Sequence, residues 1–306
     1  MRTWRLWGTG VAAVAVLLAL ACTAPLALNG TPTPDLTLTA LFAEVPTWIP
    51  TVAGGTLPPP PLTVHPATST PGATPTPVPP AGPLHPTAVV WALPFAGEPA
   101  IDAAFDDWPA QPWYTAAEVI YGAAQWSGLE DASATFAVGW NADALFLAVQ
   151  VTDDTYVQQA AGFRLFQGDA LEIVFDGDLF GDFDVAAMNA DDVHLGLSPG
   201  FGQPGQRTEA YLWFPEALRG PRTTAVRIAA RPTPEGYAVE ARVPWEVLLV
   251  EPQAGGYYGF ALRVSDNDAV GQTEQQSMVS NVPLPHIYNN PTTWGNLYLQ
   301  PGVGGR

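Results

Sequence analysis

Asp176, Asp178, Asp182 and Asp184 follow one another at spacings of two, four and two, with Gly177 and Gly181 between them and Asp191 and Asp192 close behind. Alternate acidic side chains on a glycine-bent loop turn their oxygens toward one point, which is how a calcium loop supplies the six to eight oxygen ligands of a hard cation. Without a cation these carboxylates would repel one another. The bland alternative is a solvated acidic turn, since aspartate is a common turn residue. The segment is not an EF-hand: it carries no Glu twelve positions after Asp176, and no helical pattern flanks it. The expected metal ligands are therefore Asp176, Asp178, Asp182, Asp184, Asp191 and Asp192, and the expected cofactor is calcium.

The element that must position this loop is the stretch before it. Leu171, Ile173 and Phe175 fall on one face at period two and Glu172 and Val174 on the other, the pattern of a half-buried strand.

Charge narrows the partners. The 306-residue chain has 11 basic residues, all Arg, against 29 acidic ones, a net charge of -18. A polymer of phosphates needs a basic surface, so this balance disfavours nucleic acid and suits cations or neutral polar ligands.

The single cysteine, Cys22, rules out an intramolecular disulfide and a Cys-based zinc site. Its surroundings give it another use. Arg2 and Arg5 precede an apolar run over 8–21, of signal-peptide length and short for a spanning helix. The ending Leu18-Ala19-Leu20-Ala21-Cys22 resembles a bacterial lipobox, which implies cleavage before Cys22, lipid on its sulfur, and export to the extracellular face of a membrane. A non-lipidated signal or an uncleaved anchor are the alternatives, and each also places the rest outside the cytoplasm.

Over 23–87 the chain turns to Pro, Thr, Ala and Gly, with 17 of its 33 prolines. Such a segment buries too little apolar surface to offset chain entropy and favours extended polyproline-II conformations. The expected division is a signal peptide over 1–21, a lipidated cysteine and disordered linker over 22–87, and one folded domain over 88–306. From residue 88 short alternating strands are expected at 89–93, 134–140, 144–151, 170–175, 193–198, 209–214, 225–231, 236–243, 257–264 and 295–299, separated by Gly, Pro, Asn and Asp clusters. Only 244–250 reads as helical, with Pro244 in a first-turn position. The fold class is all-β, an antiparallel β-sandwich.

Several short motifs then stand in a recognisable order: Ile101-Asp102 with Asp107-Trp108; Val138 and Trp140 before Asn141 and Asp143; 145–151 followed by Asp153-Asp154; Gly168-Asp169 and Glu172; Gly236-Tyr237, Glu240 and Val243-Pro244-Trp245; Gly259-Phe260 before Asp266 and Asp268; and Trp294-Gly295 with Leu297. Together they resemble carbohydrate-binding module family 9 and its DOMON-like relatives over about 88–300. Ala103 stands where the family usually has Gly after Ile-Asp. The resemblance implies a β-sandwich, structural calcium, and a site holding a terminal sugar between aromatic rings.

An aromatic ring suits a sugar because the apolar C–H face of a pyranose desolvates well against it, while the hydroxyls need buried donors and acceptors. Eight tryptophans lie in the expected domain. Trp108, Trp140, Trp245 and Trp294 belong to the family framework and are expected in the core, leaving Trp113, Trp126 and Trp213 as platforms. Gln276, Asn281, Tyr288 and Asn289, in an amide-rich segment, complete the expected ligand-binding set.

Enzyme readings fare worse. The chain has no Gly-x-Ser-x-Gly elbow, no His-Glu-x-x-His helix and no phosphate loop. His194 and His286 each lack a second His at ligand spacing, so both are expected as ordinary loop or packed residues. Haem binding of the DOMON type would have to use these two with Met188 and Met278, a poor ligand set. The expected function is non-catalytic binding of a sugar or polysaccharide by a lipid-anchored surface protein, in the service of carbohydrate catabolism. The alternative classes are a structural or adhesive sandwich that has lost its sugar site, and a haem-binding domain.

Overall fold

The computed structural model describes residues 77–283 and 290–302. Its strands are β1 (Val89–Pro94), β2 (Tyr114–Ala116), β3 (Glu118–Tyr121), β4 (Ala132–Trp140), β5 (Ala144–Asp153), β6 (Ala170–Asp176), β7 (Asp192–Ser198), β8 (Glu209–Phe214), β9 (Gly220–Pro221), β10 (Arg227–Thr233), β11 (Gly236–Pro244), β12 (Tyr257–Asp266), β13 (Ser277–Ser280) and β14 (Gly295–Leu299). They form one ladder in the order β10-β11-β5-β4-β1-β14-β12-β6-β7-β8-β9, with β2, β13 and β3 attached at β4 and β12. The all-β expectation is met. Pairing is antiparallel except at β1, which runs parallel to both β4 and β14 and so joins the two halves of the curled sheet.

The curl brings the inward faces of β4, β5 and β11 against those of β6, β7 and β12. Phe136, Val138, Leu145, Leu147 and Val149 from one half meet Leu171, Ile173, Phe175, Phe260 and Leu262 from the other in one core, with the Phe136 and Phe260 rings 6.3 Å apart. Each such side chain contributes about 1.5–3 kcal/mol relative to exposure. Trp108, Trp140, Trp245 and Trp294 are all buried, as their framework positions suggest.

Three local expectations are corrected. Pro244 ends β11 and residues 245–249 form successive turns, and among the described residues the only helices are three short 3-10 turns, at Gly162–Arg164, Glu216–Leu218 and Pro291–Thr293. Leu249 with φ 59° and the bond from Val250 N–H to the Trp245 carbonyl bend this stretch out of helical geometry. Second, β6 is buried on both faces: Val174 packs with Ala261, Val282 and Trp294 in a separate cluster behind the sheet. Third, β2, β3, β9 and β13 were not foreseen, being too short to show a period.

The backbone before β1 is held to the domain. Asn296 Oδ1 accepts from His85 N–H at 2.9 Å, and its Nδ2 donates to the His85 carbonyl at 3.0 Å. The Tyr298 hydroxyl accepts from Val78 N–H, and the Tyr257 hydroxyl donates to the Val78 carbonyl. His85, placed by its sequence position in the linker, is buried with its ring 4.7 Å from that of Phe183.

Ala103 has φ 64°, the left-handed region in which glycine is at ease. The turn is kept by Glu240, whose carboxylate accepts from the N–H groups of Asp102 and Ala103, both at 3.0 Å, and from Trp108 Nε1 at 2.7 Å. Three donors on one buried carboxylate hold an alanine in this conformation.

Candidate functional site

Residues on the outer face of β6, β7 and β8, opposite the core, surround a cavity of about 370 Å3 lined by Tyr121, Phe163, Phe166, Glu172, His194, Trp213 and Gln275. Its aromatic wall is layered: Phe166 meets Trp213 edge-on at 6.1 Å, and Trp213 lies 4.7 Å from the His194 ring. Phe163 and Tyr121 stand on the rim, well exposed, whereas Trp213 shows only an edge. Trp213 is fixed by its Nε1, which donates to the Phe163 carbonyl at 2.9 Å. It can cross β7 because residue 196 is glycine: a Cβ there would come within 2.2 Å of the indole.

The floor is polar. Glu172 is buried, and its Oε2 accepts from His194 Nε2 at 2.7 Å while Oε1 accepts from Ser265 Oγ at 3.1 Å. Ser265 Oγ in turn accepts from Gln275 Nε2 at 2.8 Å. Burial alone would push the Glu172 carboxyl upward, but the bond and charge of His194, the nearby Arg263 guanidinium and the Ser265 hydroxyl hold it below its usual value. The site therefore offers an ionised acceptor, an imidazole and an amide beneath aromatic faces.

The acidic loop lies beyond the other end of β6. Asp176, Asp182 and Asp191 bring one oxygen each within 4.8 Å of one another. Asp192 faces Asp176 across the β6–β7 pair, and its Oδ2 accepts from Asn189 N–H at 2.7 Å. Asp182 Oδ1, Asp191 Oδ2 and Asp192 Oδ1 are enclosed without hydrogen-bond partners. Burial first, with the charges of the neighbouring acids adding to it, raises Asp176 and Asp192 to about 7 against the opposing backbone N–H bonds of Asp178 and Asn189. Asp178 lies at the edge, accepting from Gly181 N–H, and Asp184 is exposed outside the cluster. Three of the six expected ligands, Asp176, Asp182 and Asp191, thus converge, with Asp192 beside them in the ladder. The donor set, all oxygen with unused buried lone pairs, fits a hard divalent cation.

The other expected ligand residues scatter. Trp113 is exposed against Phe105, which packs on Ala137, Phe146 and Ala148 of β4 and β5, away from the residues lining the cavity. Trp126 packs on the core and donates to the Ala132 carbonyl at 2.9 Å, so it is no platform. Asn281 Oδ1 accepts from Leu262 N–H, and Gln276 Oε1 accepts from Asp268 N–H, both backbone-holding roles. Tyr288, Asn289 and Cys22 lie outside the described residues. Of the tryptophans chosen, Trp213 alone reaches the cavity. Glu172, His194, Phe163, Phe166, Tyr121 and Gln275 were not chosen. Glu172's place on the outward face of its strand was the one available signal. Met278, a candidate haem ligand, is fully buried.

A second acidic group went unrecognised. Asp153, Asp169 and Asp266 have oxygens within 4.8 Å of one another, and Asp131, Asp154 and Asp268 do likewise.

With this geometry in view, the matches to known proteins are decisive for the family. The model of the carbohydrate family 9 binding domain-like family matches residues 101–301. The chain belongs to this family. Among solved structures, this family 9 domain is similar to a family 9 carbohydrate-binding module from Caldicellulosiruptor kristjanssonii in complex with cellotriose, with TM-score 0.53, 20% identity, and coverage of 71% of this chain and 96% of that one. The module of the same organism in complex with glucose gives TM-score 0.53 and 22% identity over 72% of this chain and 99% of the other. At these identities the likeness establishes the family 9 fold. No curated protein matches the sequence.

Proposed function

We propose that the cavity over Glu172 and His194 binds one or two sugar rings of a neutral carbohydrate without turning them over. One observation carries this reading: a buried, ionised carboxylate paired with an imidazole lies at the foot of an aromatic wall formed by Phe163, Phe166 and Trp213. A pyranose needs both features at once, an apolar surface for its C–H face and strong acceptors for its hydroxyls. The cavity lies at the small end of the usual range for small-molecule sites, roughly 300–1,000 Å3, which suits a chain end better than a long glycan. The solved family 9 modules that hold glucose and cellotriose support the same ligand class.

Around this site the remaining readings fall into place. Calcium in the Asp176–Asp192 loop neutralises acids that would otherwise repel. The Pro/Thr segment holds the domain away from a membrane to which lipid on Cys22 attaches it, in the service of carbohydrate catabolism. Titration of the purified domain with glucose, cellobiose and cellotriose, followed by tryptophan fluorescence in calcium, tests the binding. Silence toward these and toward a broad glycan array, from a folded protein, would move the domain to a structural role.

A further inference from the structure

The outward face of β12 carries a second concave site, at the end away from Glu172. Tyr258, Phe260, Leu262 and Val264 point into the core, so Tyr257 lies on the opposite face, the face of Ser265, which bonds Glu172. Arg263 is the ladder partner of Glu172, and about 20 Å of strand, at roughly 3.3 Å per residue, separates it from Tyr257. The cavity at Tyr257 measures about 360 Å3, and three segments wall it: residues 78–81 before β1, the start of the acidic loop as far as Phe180, and the 250–256 turn.

Its aromatic parts are fixed in place. The Tyr257 hydroxyl donates to the Val78 carbonyl at 2.8 Å, and its ring lies 4.7 Å from that of Tyr298, whose hydroxyl accepts from Val78 N–H at 2.9 Å. Phe180 stands 6.3 Å from Tyr257 with the two rings inclined at 49°, so their faces diverge as the sides of a cleft. Phe180 can reach residues 78–82 because position 82 is glycine: a Cβ there would come within 2.8 Å of the ring. The polar parts have capacity to spare. Glu251 and Gln253 are exposed, and among the described residues their side chains bond no other group. Asp178 uses one carboxylate oxygen, Oδ1, on Gly181 N–H.

Acceptors predominate in this lining, so the ligand must bring donors. A proline-rich peptide, a common partner of aromatic-lined grooves, brings few, because proline has no N–H. The tyrosine hydroxyls that would read its backbone are already engaged by Val78. A sugar ring offers several hydroxyl donors and an apolar C–H face together. We infer that this cavity is a second carbohydrate site. One sugar ring lies with its C–H face on Tyr257 and Phe180 and donates hydroxyl hydrogens to Glu251, Gln253 and Asp178. The volume falls within the usual range for small-molecule sites, roughly 300–1,000 Å3. This site stands independently of the cavity over Glu172. Because the two share one face of the sheet, a glycan long enough to reach both binds more tightly than a short one.

The test is hydrogen exchange of the full chain with and without saturating cellotriose. Bound sugar should slow exchange of the 253–257 and 78–82 amides at least threefold, and should still do so in Phe166→Ala, which damages the first cavity. Glu251→Gln combined with Gln253→Ala, two exposed positions, should abolish this protection while the amides of 162–167, beside the first cavity, keep theirs. Unchanged exchange at 253–257 and 78–82 in the unmutated chain overturns the second site, a readout that does not depend on any variant folding. So does protection that survives the double substitution, and so does protection by a Thr-Pro repeat peptide where cellotriose gives none. Protection at 253–257 without any at 162–167 would uphold the second site and count against the cavity over Glu172 alone.

Discussion

His194 Nε2 lies 2.7 Å from Glu172 Oε2 although the two residues are not direct partners in the β6–β7 ladder, where Glu172 faces Gly196 and His194 faces Val174. The contact is diagonal, and the absence of a side chain at 196 leaves room for Trp213 to lie over the same strand. One glycine thus permits the aromatic wall beside a carboxylate floor.

Gly196→Ala should therefore damage binding more than folding. The added methyl meets the indole, not the backbone of a neighbouring strand, so Trp213 must tilt out of the wall. Sugar affinity should fall about tenfold, roughly 1.4 kcal/mol, with Tm changed by only a few degrees. Calorimetry and thermal melting on the same preparation separate the two effects.

Phe166→Ala and Trp126→Ala should divide the same way. Phe166 lines the cavity, so its loss should weaken sugar binding at least tenfold. Trp126 packs on the core and bonds the Ala132 carbonyl, so its truncation should cost about 3 kcal/mol of stability and leave affinity unchanged. Equal losses of affinity in both variants would place the ligand elsewhere.

The acid clusters give a pH dependence of definite sign. Asp153, Asp176, Asp192 and Asp266 are raised from 3.8 to about 7 by burial first and neighbouring charge second. A raised folded-state value contributes stability that is fully present below 3.8 and lost as pH rises through about 7. In chelator, Tm should therefore climb by about 5 °C or more between pH 8 and pH 5, each kcal/mol being worth roughly 2–4 °C at this size. With calcium bound at neutral pH the carboxylates are neutralised by charge instead, and most of that slope should vanish. A melting series in EDTA and in calcium checks both halves.

Asn296→Ala should free the backbone before β1. Its amide bonds both polar groups of the His85 backbone as well as Thr87, so truncation leaves buried groups unmatched, at a cost of about 1–3 kcal/mol. Protease cleavage within 77–88 should accelerate while the strands stay intact, as mass mapping of the fragments would show.

Much of this architecture was legible because local pattern and tertiary environment agree. β6, β8 and β14 stand close to where alternation puts them, and of the six aspartates that spacing singles out, Asp176, Asp182 and Asp191 converge. The failures share a cause. Glu172, Ser265 and Gln275 come together only through the pairing of β6 with β12, and Asp153, Asp169 and Asp266 only through the curl that aligns three strand ends. No local spacing encodes such meetings. Trp126 and Trp213 illustrate the limit: both sit among polar or alternating neighbours, yet one is drawn into the core and the other onto the cavity by strands far away in the chain.

The most direct test is a calorimetric titration of the calcium-loaded domain with cellotriose, run beside Glu172→Gln. Glu172→Gln keeps the shape of the floor and removes its charge. Saturable one-site binding is expected, weakened at least tenfold by the substitution. Undiminished binding by Glu172→Gln, or none by either protein while both remain folded, would contradict a sugar site built on the Glu172–His194 pair.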